Sequence, residues 1–223
     1  MLPIAHKSTI VLIKALGHCR LSINDLSTAG SQPLHSPSNT VHAVVNGEIY
    51  DHERIRGTLS YTFTGHSDSE LVLALYEAHG LDFLSHLRGE FALALYDSQR
   101  DIFIAARDRY GIKPLFWRRE SGSIWLGAEI KAFLGAGWTP EWDVQAIMDG
   151  GWGQDTRTVF KGVQKVSGPP DCRTPRRLCP AATGTLYDMS RRRRAGDQAV
   201  LGYLLPRQGE PYRYGQASVA ITQ

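Results

Sequence analysis

Three polar clusters between residues 16 and 70 combine side chains that could hold a small zwitterion and act on an amide. The first is Leu16-Gly17-His18-Cys19-Arg20-Leu21-Ser22-Ile23, where Arg20 sits beside a predicted strand. A guanidinium at a strand edge offers a planar fork that matches a carboxylate; a lone arginine is otherwise a surface residue. The second is Asn46-Gly47-Glu48-Ile49-Tyr50. There the Asn46 amide and the Gly47 backbone N–H, at the end of a strand, supply two donors for a developing oxyanion. Glycine also leaves no Cβ in the path of a substrate, although Asn-Gly is equally a hairpin turn. The third is Asp68 in Ser67-Asp68-Ser69-Glu70. A carboxylate at a helix amino end is favoured by the dipole and could receive an ammonium group, with simple capping as the alternative.

The elements that must position these groups alternate along the first part of the chain. A β-branched run at 41–45 predicts a strand that delivers Asn46-Gly47. Ser67 three residues ahead of Glu70 reads as a capping box, opening an amphipathic helix that stops at Gly80. A short helix over 82–87 follows. Phe91, Leu93 and Leu95 alternate with Ala92, Ala94 and Tyr96, the chain turns at 97–101, and Ile102 and Ile104 resume the pattern. That hairpin is apolar on both faces, as in a sheet covered on two sides. A further strand pair is expected at 115–117 and 124–126, then a short helix at 129–134 closed by Gly135. Several hairpins with few helices give an α+β class.

Composition supports an ordinary soluble chain: 223 residues, 42% hydrophobic and 21% charged, with no long apolar run. No membrane span, export signal or disulfide framework is expected, and the three cysteines (Cys19, Cys172, Cys179) suit a reducing, cytoplasmic home. The histidines are scattered, so neither a metal nor a cofactor is expected. Residues 1–168 carry 16 Lys/Arg against 18 Asp/Glu, whereas 169–223 carry 9 against 4, and all nine are arginine. Four consecutive arginines at 191–194 and scattered Gly and Pro predict an irregular, largely disordered tail over 167–223. Nucleic-acid binding by that arginine block is not favoured, because aromatic residues are thinly interleaved.

Taken in order and spacing, the three clusters join Arg107-Asp108-Arg109-Tyr110-Gly111-Ile112-Lys113-Pro114-Leu115 and Glu129-Ile130-Lys131-Ala132. Together they resemble the class II glutamine amidotransferase domain of glutamine-hydrolysing asparagine synthetases, over residues 16–166 with a divergent amino end at 1–15. The resemblance implies an N-terminal-nucleophile αββα sandwich, two antiparallel sheets between helical layers, and L-glutamine as the ligand. It implies that Arg20 grips the glutamine α-carboxylate, that Asp68 holds the α-amino group, and that Glu48 makes a further polar contact. Asn46 and Gly47 match the oxyanion hole, and 107–115 matches a framework motif without a catalytic role. A separate synthetase domain or subunit would receive the ammonia for asparagine synthesis.

The chain departs from that pattern in two places. The family's nucleophile is a cysteine exposed by removal of the initiator methionine, its free α-amine serving as base. Here Leu2 and Pro3 follow Met1, no Cys-Gly-Ile occurs, and only nineteen residues precede Arg20. Cys19 does not substitute, since strand alternation points it away from the face of Arg20. The Ser-Gly-Gly-x-Asp-Ser phosphate loop of a synthetase domain is also absent from these residues. The expectation is therefore an amidotransferase-type domain without turnover, a fragment of the family pattern. The alternative is a non-catalytic glutamine-binding or regulatory pseudo-amidotransferase.

Overall fold

The computed structural model describes residues 14–18, 27–100, 102–120, 123–166, 199–204 and 217–221. Arg20 and all three cysteines lie outside the described residues. The β-branched run at 41–45 opens a nine-residue strand, β3 (Val41–Ile49), preceded by β1 (Lys14–His18) and the two-residue β2 (Leu34–His35). The expected apolar hairpin is β4 (Gly89–Asp97) and β5 (Ile102–Asp108), in register through Ala94 and Ala105. These strands form one antiparallel sheet in the order β2-β3-β4-β5, extended by β9 (Ala199–Leu204) beside β5. The second sheet holds β6 (Phe116–Glu120), β7 (Ser123–Gly127) and β8 (Val163–Lys165), with β10 (Ala217–Ile221) between β7 and β1.

The class is α+β with two sheets. The second sheet is mixed rather than antiparallel throughout: β10 runs parallel to both of its neighbours, while β6 is antiparallel to β7 and β8. Of the stretch read as an irregular tail, 167–198, 205–216 and 222–223 lie outside the described residues. The segments 199–204 and 217–221 are strands, and both fall on short apolar runs beyond the arginine block. Such runs can pair with a sheet edge and satisfy its backbone groups.

Alternation divides the hairpin between two apolar clusters. Phe91, Leu93, Leu95, Ile104 and Ala106 pack with Val45, Ile49 and the helix α2 (Leu71–His79). Ala92, Ala94 and Ala105 face the opposite way, with Val44, Leu115, Leu126 and Ala128. Small residues on that face let the two sheets come together, and the larger side chains fill the space against the helix. A third cluster, Phe133, Trp138 and Val163, is joined by Phe116, Trp125 and Phe160.

Helix α2 departs from the amphipathic expectation. Its first six residues, Leu71–Tyr76, are all buried, so this part of the helix is enclosed on every side, and only its last turn, Glu77–His79, is exposed. It does end at Gly80, whose φ of +57° suits a residue without a Cβ. The expected helix at 129–134 is a 3-10 helix, Ile130–Ala136, and it ends at Gly137 (φ +81°) rather than Gly135.

Candidate functional site

Strand β3 carries three of the five proposed ligand groups, and the structure brings the fourth to it. Asn46, Gly47 and Glu48 lie inside β3, paired in register with Ala92, Phe91 and Glu90 of β4. The hairpin-turn alternative for Asn46-Gly47 is thereby overturned, because pairing with β4 continues through both residues to Ile49. The glycine is needed for another reason. Gly47 has φ +135°, and a Cβ there would stand 1.9 Å from the carbonyl oxygen of Glu90. Gly89 mirrors it: φ is +147°, and its Cβ would stand 2.1 Å from the carbonyl oxygen of Glu48. Two glycines thus let the β3 and β4 backbones approach closely on either side of the Glu48–Glu90 pair.

Asp68 is 4% exposed, and its Oδ2 accepts a hydrogen bond from the Ile49 N–H at 2.7 Å. A buried carboxylate from the turn before α2 therefore docks on the outer edge of β3, one residue beyond Glu48 and two beyond Gly47. Asn46, three residues back along β3 from Ile49, is buried at 8% exposure, whereas Glu48 is exposed. Arg20, proposed for the carboxylate, lies outside the described residues.

The loop that delivers Asp68 is built by residues that no local motif announces. Arg56, at the end of the helix α1 (His52–Arg56), donates to the Ser67 carbonyl at 3.0 Å and to the Gly65 carbonyl. Its guanidinium also lies over the Phe63 ring, 3.9 Å from the centroid. Buried Glu70 accepts from the Thr64 N–H at 2.6 Å and the Gly65 N–H at 3.0 Å, and stands 3.9 Å from Arg56. The capping-box reading is corrected here: the Ser67 side chain makes no cap bond, because Glu70 turns back onto the loop instead. Buried polar groups must find partners, and these partners fix the loop and hence Asp68.

On the other side of Gly47, Gln32 engages β3. Its Oε1 accepts from the Val45 N–H at 2.6 Å, and its Nε2 donates to the Val45 carbonyl at 2.9 Å. The open end of the β3–β4 pair carries Tyr50, whose hydroxyl donates to Glu90 Oε1 at 2.9 Å. That bond, with partial burial and the negative charges of Glu90, Glu48 and Asp108, raises the phenol above its ordinary range. Glu48 thus sits in a negative field, beside a second carboxylate that is already occupied by a phenol.

Arg107 and Asp108 end β5, and residues 109–115 form the loop that follows. Buried Asp108 accepts from the N–H groups of Tyr110, Ile112 and Lys113 at 2.9–3.0 Å. Arg107 reaches the carbonyls of Gly111 and Val166, tying this loop to the end of β8's segment, and burial lowers its pKa. Among the described residues no group of three or more His, Cys, Asp or Glu could hold a metal ion, and no helix is long and apolar enough to cross a membrane.

Comparison with known proteins bears on the same region. The glutamine amidotransferase domain family matches residues 8–172. The chain is 52% identical over 158 residues to amidase chyE of Penicillium rubens, covering 70% of this chain and 24% of that protein. It is 52% identical over 153 residues to amidase chry2 of Gibberella zeae, covering 68% and 23%. Asparagine synthetase B [glutamine-hydrolyzing] of Escherichia coli is 44% identical over 122 residues, covering 53% and 22%. The chain spans about a quarter of the length of these relatives. It belongs to the glutamine amidotransferase domain family, related to the amidotransferase half of the glutamine-hydrolysing asparagine synthetases.

Proposed function

We propose that this domain is a glutamine-recognition module of N-terminal-nucleophile αββα type, derived from an asparagine-synthetase amidotransferase. One observation carries the reading: the buried Asp68 carboxylate docks on β3 at Ile49, beside Asn46, Gly47 and Glu48. In this reading Asp68 receives the α-ammonium group, Glu48 makes a further polar contact to the ligand, and Arg20 receives the α-carboxylate. Asn46 and Gly47 present two donors to the side-chain amide oxygen, the place where negative charge develops when the amide is attacked. Strand alternation supports Gly47 in that role. The N–H groups of Val45 and Ile49 point to the outer edge of β3, toward Gln32 and Asp68. Period two puts the Gly47 N–H on the same edge between them.

A polypeptide of these 223 residues binds glutamine without turning it over. Hydrolysis needs a thiolate that attacks the amide carbon and a base that takes its proton. Cys19, Cys172 and Cys179 are the cysteines of the sequence, and none stands in a Cys-Gly-Ile context. The relatives are named as amidases and as glutamine-hydrolysing synthetases, so amide chemistry is the shared theme, and a synthetase partner would be the consumer of ammonia.

Calorimetry with glutamine tests the pocket. Binding should be lost in Asp68→Ala and Arg20→Ala, and no heat with the unmodified chain would overturn the reading. Glutamate release from glutamine tests turnover, with none expected. Mass spectrometry of the natural protein's amino end separates the two possibilities: an end bearing Cys-Gly restores the hydrolase.

A further inference from the structure

We propose that Gln32 is a positioning residue for the amide-oxygen donors, acting through the edge of β3. The inference rests on the glutamine-pocket reading and extends it to a residue outside the three motif clusters. The register makes the case. Strand β2 pairs Leu34 with Ala43 and His35 with His42, so the next position of the ladder would set residue 32 against Val45. Pro33 intervenes and has no N–H to give. At that point the Gln32 side chain takes over, its carboxamide accepting from the Val45 N–H at 2.6 Å and donating to the Val45 carbonyl at 2.9 Å. A carboxamide presents one donor and one acceptor side by side, as a strand residue does.

The consequence is a bracketed gap. Gln32 closes the outer edge of β3 at Val45, and Asp68 closes it at Ile49. Between them lies Asn46-Gly47, held against β4 with a backbone torsion, φ +135°, that other residues rarely adopt. A strand edge tethered on both sides cannot twist freely, so the Gly47 N–H keeps one direction. Preorganisation of this kind makes an oxyanion donor effective, because it need not reorient when charge develops.

The variant to make is Gln32→Met, which keeps the length of the side chain and removes both hydrogen bonds; Gln32→Glu keeps the acceptor but sets a carboxylate against the Val45 carbonyl. Two ligands separate positioning from folding. Glutamine carries the amide, whereas norvaline has the same α-amino and α-carboxylate groups without it. In Gln32→Met, glutamine affinity should fall about tenfold, the scale of one hydrogen bond, while norvaline binding stays at the wild-type value. Gln32→Glu should lie between. Equal losses for the two ligands, or no loss for glutamine, would overturn the proposal.

Amide hydrogen exchange gives a readout without ligand. The Val45 and Gly47 N–H groups should exchange at least about tenfold faster in Gln32→Met, while buried Leu93 and Leu95 of β4 are unchanged. Unaltered exchange at 45 and 47 refutes the tether. If the unmodified protein binds neither ligand, the pocket reading fails, and exchange alone still decides whether Gln32 sets the edge.

Discussion

Around α2 six consecutive residues, Leu71–Tyr76, are buried, whereas the two short helices α3 (Val144–Met148) and α4 (Gly151–Gln154) expose Val144, Ile147, Met148 and Trp152. Polar groups differ in the same way. Near α2 the carboxylates Asp68, Glu70 and Asp97 are buried and each holds backbone N–H groups. Near α4, Arg157 bridges Asp149 and Asp155 at the surface, in pairs that solvent screens. Both regions are short on regular helix, but only the first is fixed by burial. The candidate site lies beside the first, so its buried Asp68 is held by a backbone donor rather than by a solvent-screened pair.

The sharpest way to break this arrangement is Gly47→Ala. The new Cβ would stand 1.9 Å from a backbone oxygen, at a torsion that side chains rarely adopt. Strain and overlap together should cost about 3–5 kcal/mol, read in a denaturant melt, with glutamine binding abolished. A wild-type melt would refute the close approach of β3 and β4. Next comes Leu73→Ala, which opens a cavity in the enclosed helix and should cost about 3 kcal/mol. Its counterpart Met148→Ala, at a residue 77% exposed, should stay within about 0.5 kcal/mol. Similar losses for the two would erase the contrast.

Asp97 and Arg157 offer the same comparison for charged groups. The Asp97 Oδ2 accepts from the Tyr76 hydroxyl at 2.8 Å, and its Oδ1 accepts from the N–H groups of Gln99 and Arg100. Asp97→Ala strands those donors and should cost about 2 kcal/mol. Arg157→Ala should leave the midpoint unchanged within the scatter of repeat melts. A larger loss at Arg157 than at Asp97 would mean that surface pairs, not buried ones, hold the chain.

What the sequence made legible was local. Asn46, Gly47 and Glu48 stood out because they adjoin a β-branched run, and Asp68 because it precedes an apolar helix. The apolar hairpin was readable from alternation, down to its turn at Asp97. The supports of the site were not readable, since Arg56, Glu70 and Gln32 act on backbone groups of distant residues and those groups have no sequence signature. Glu70 even misled: its spacing from Ser67 fits a capping box, yet burial and the Thr64–Gly65 loop claim it. Asn-Gly misled for a related reason. A glycine marks positive φ in a turn and in a tight cross-strand approach alike, and only the register with β4 distinguishes them.

The smallest expected effect lies at the other end of β3, where the strand is paired with β2 at the sheet edge. His35 and His42 face each other across the ladder with their Nδ1 atoms 2.7 Å apart. One nitrogen must donate and the other accept, so the pair tolerates one proton on those facing atoms and not two. Burial, and then the charge of His35, lowers the pKa of His42 below 6.5. The unfolded chain therefore takes up this proton first as pH falls, and stability declines from about pH 7 downward, levelling once the folded-state pKa is passed. His35→Ala should reduce the decline without removing it, because burial is the larger cause. His42→Gln should remove this contribution altogether. The comparison is best made on the difference between variant and parent melts at each pH, which cancels the acid titration of the carboxylates elsewhere; a difference that does not vary with pH would show that the two imidazoles do not meet.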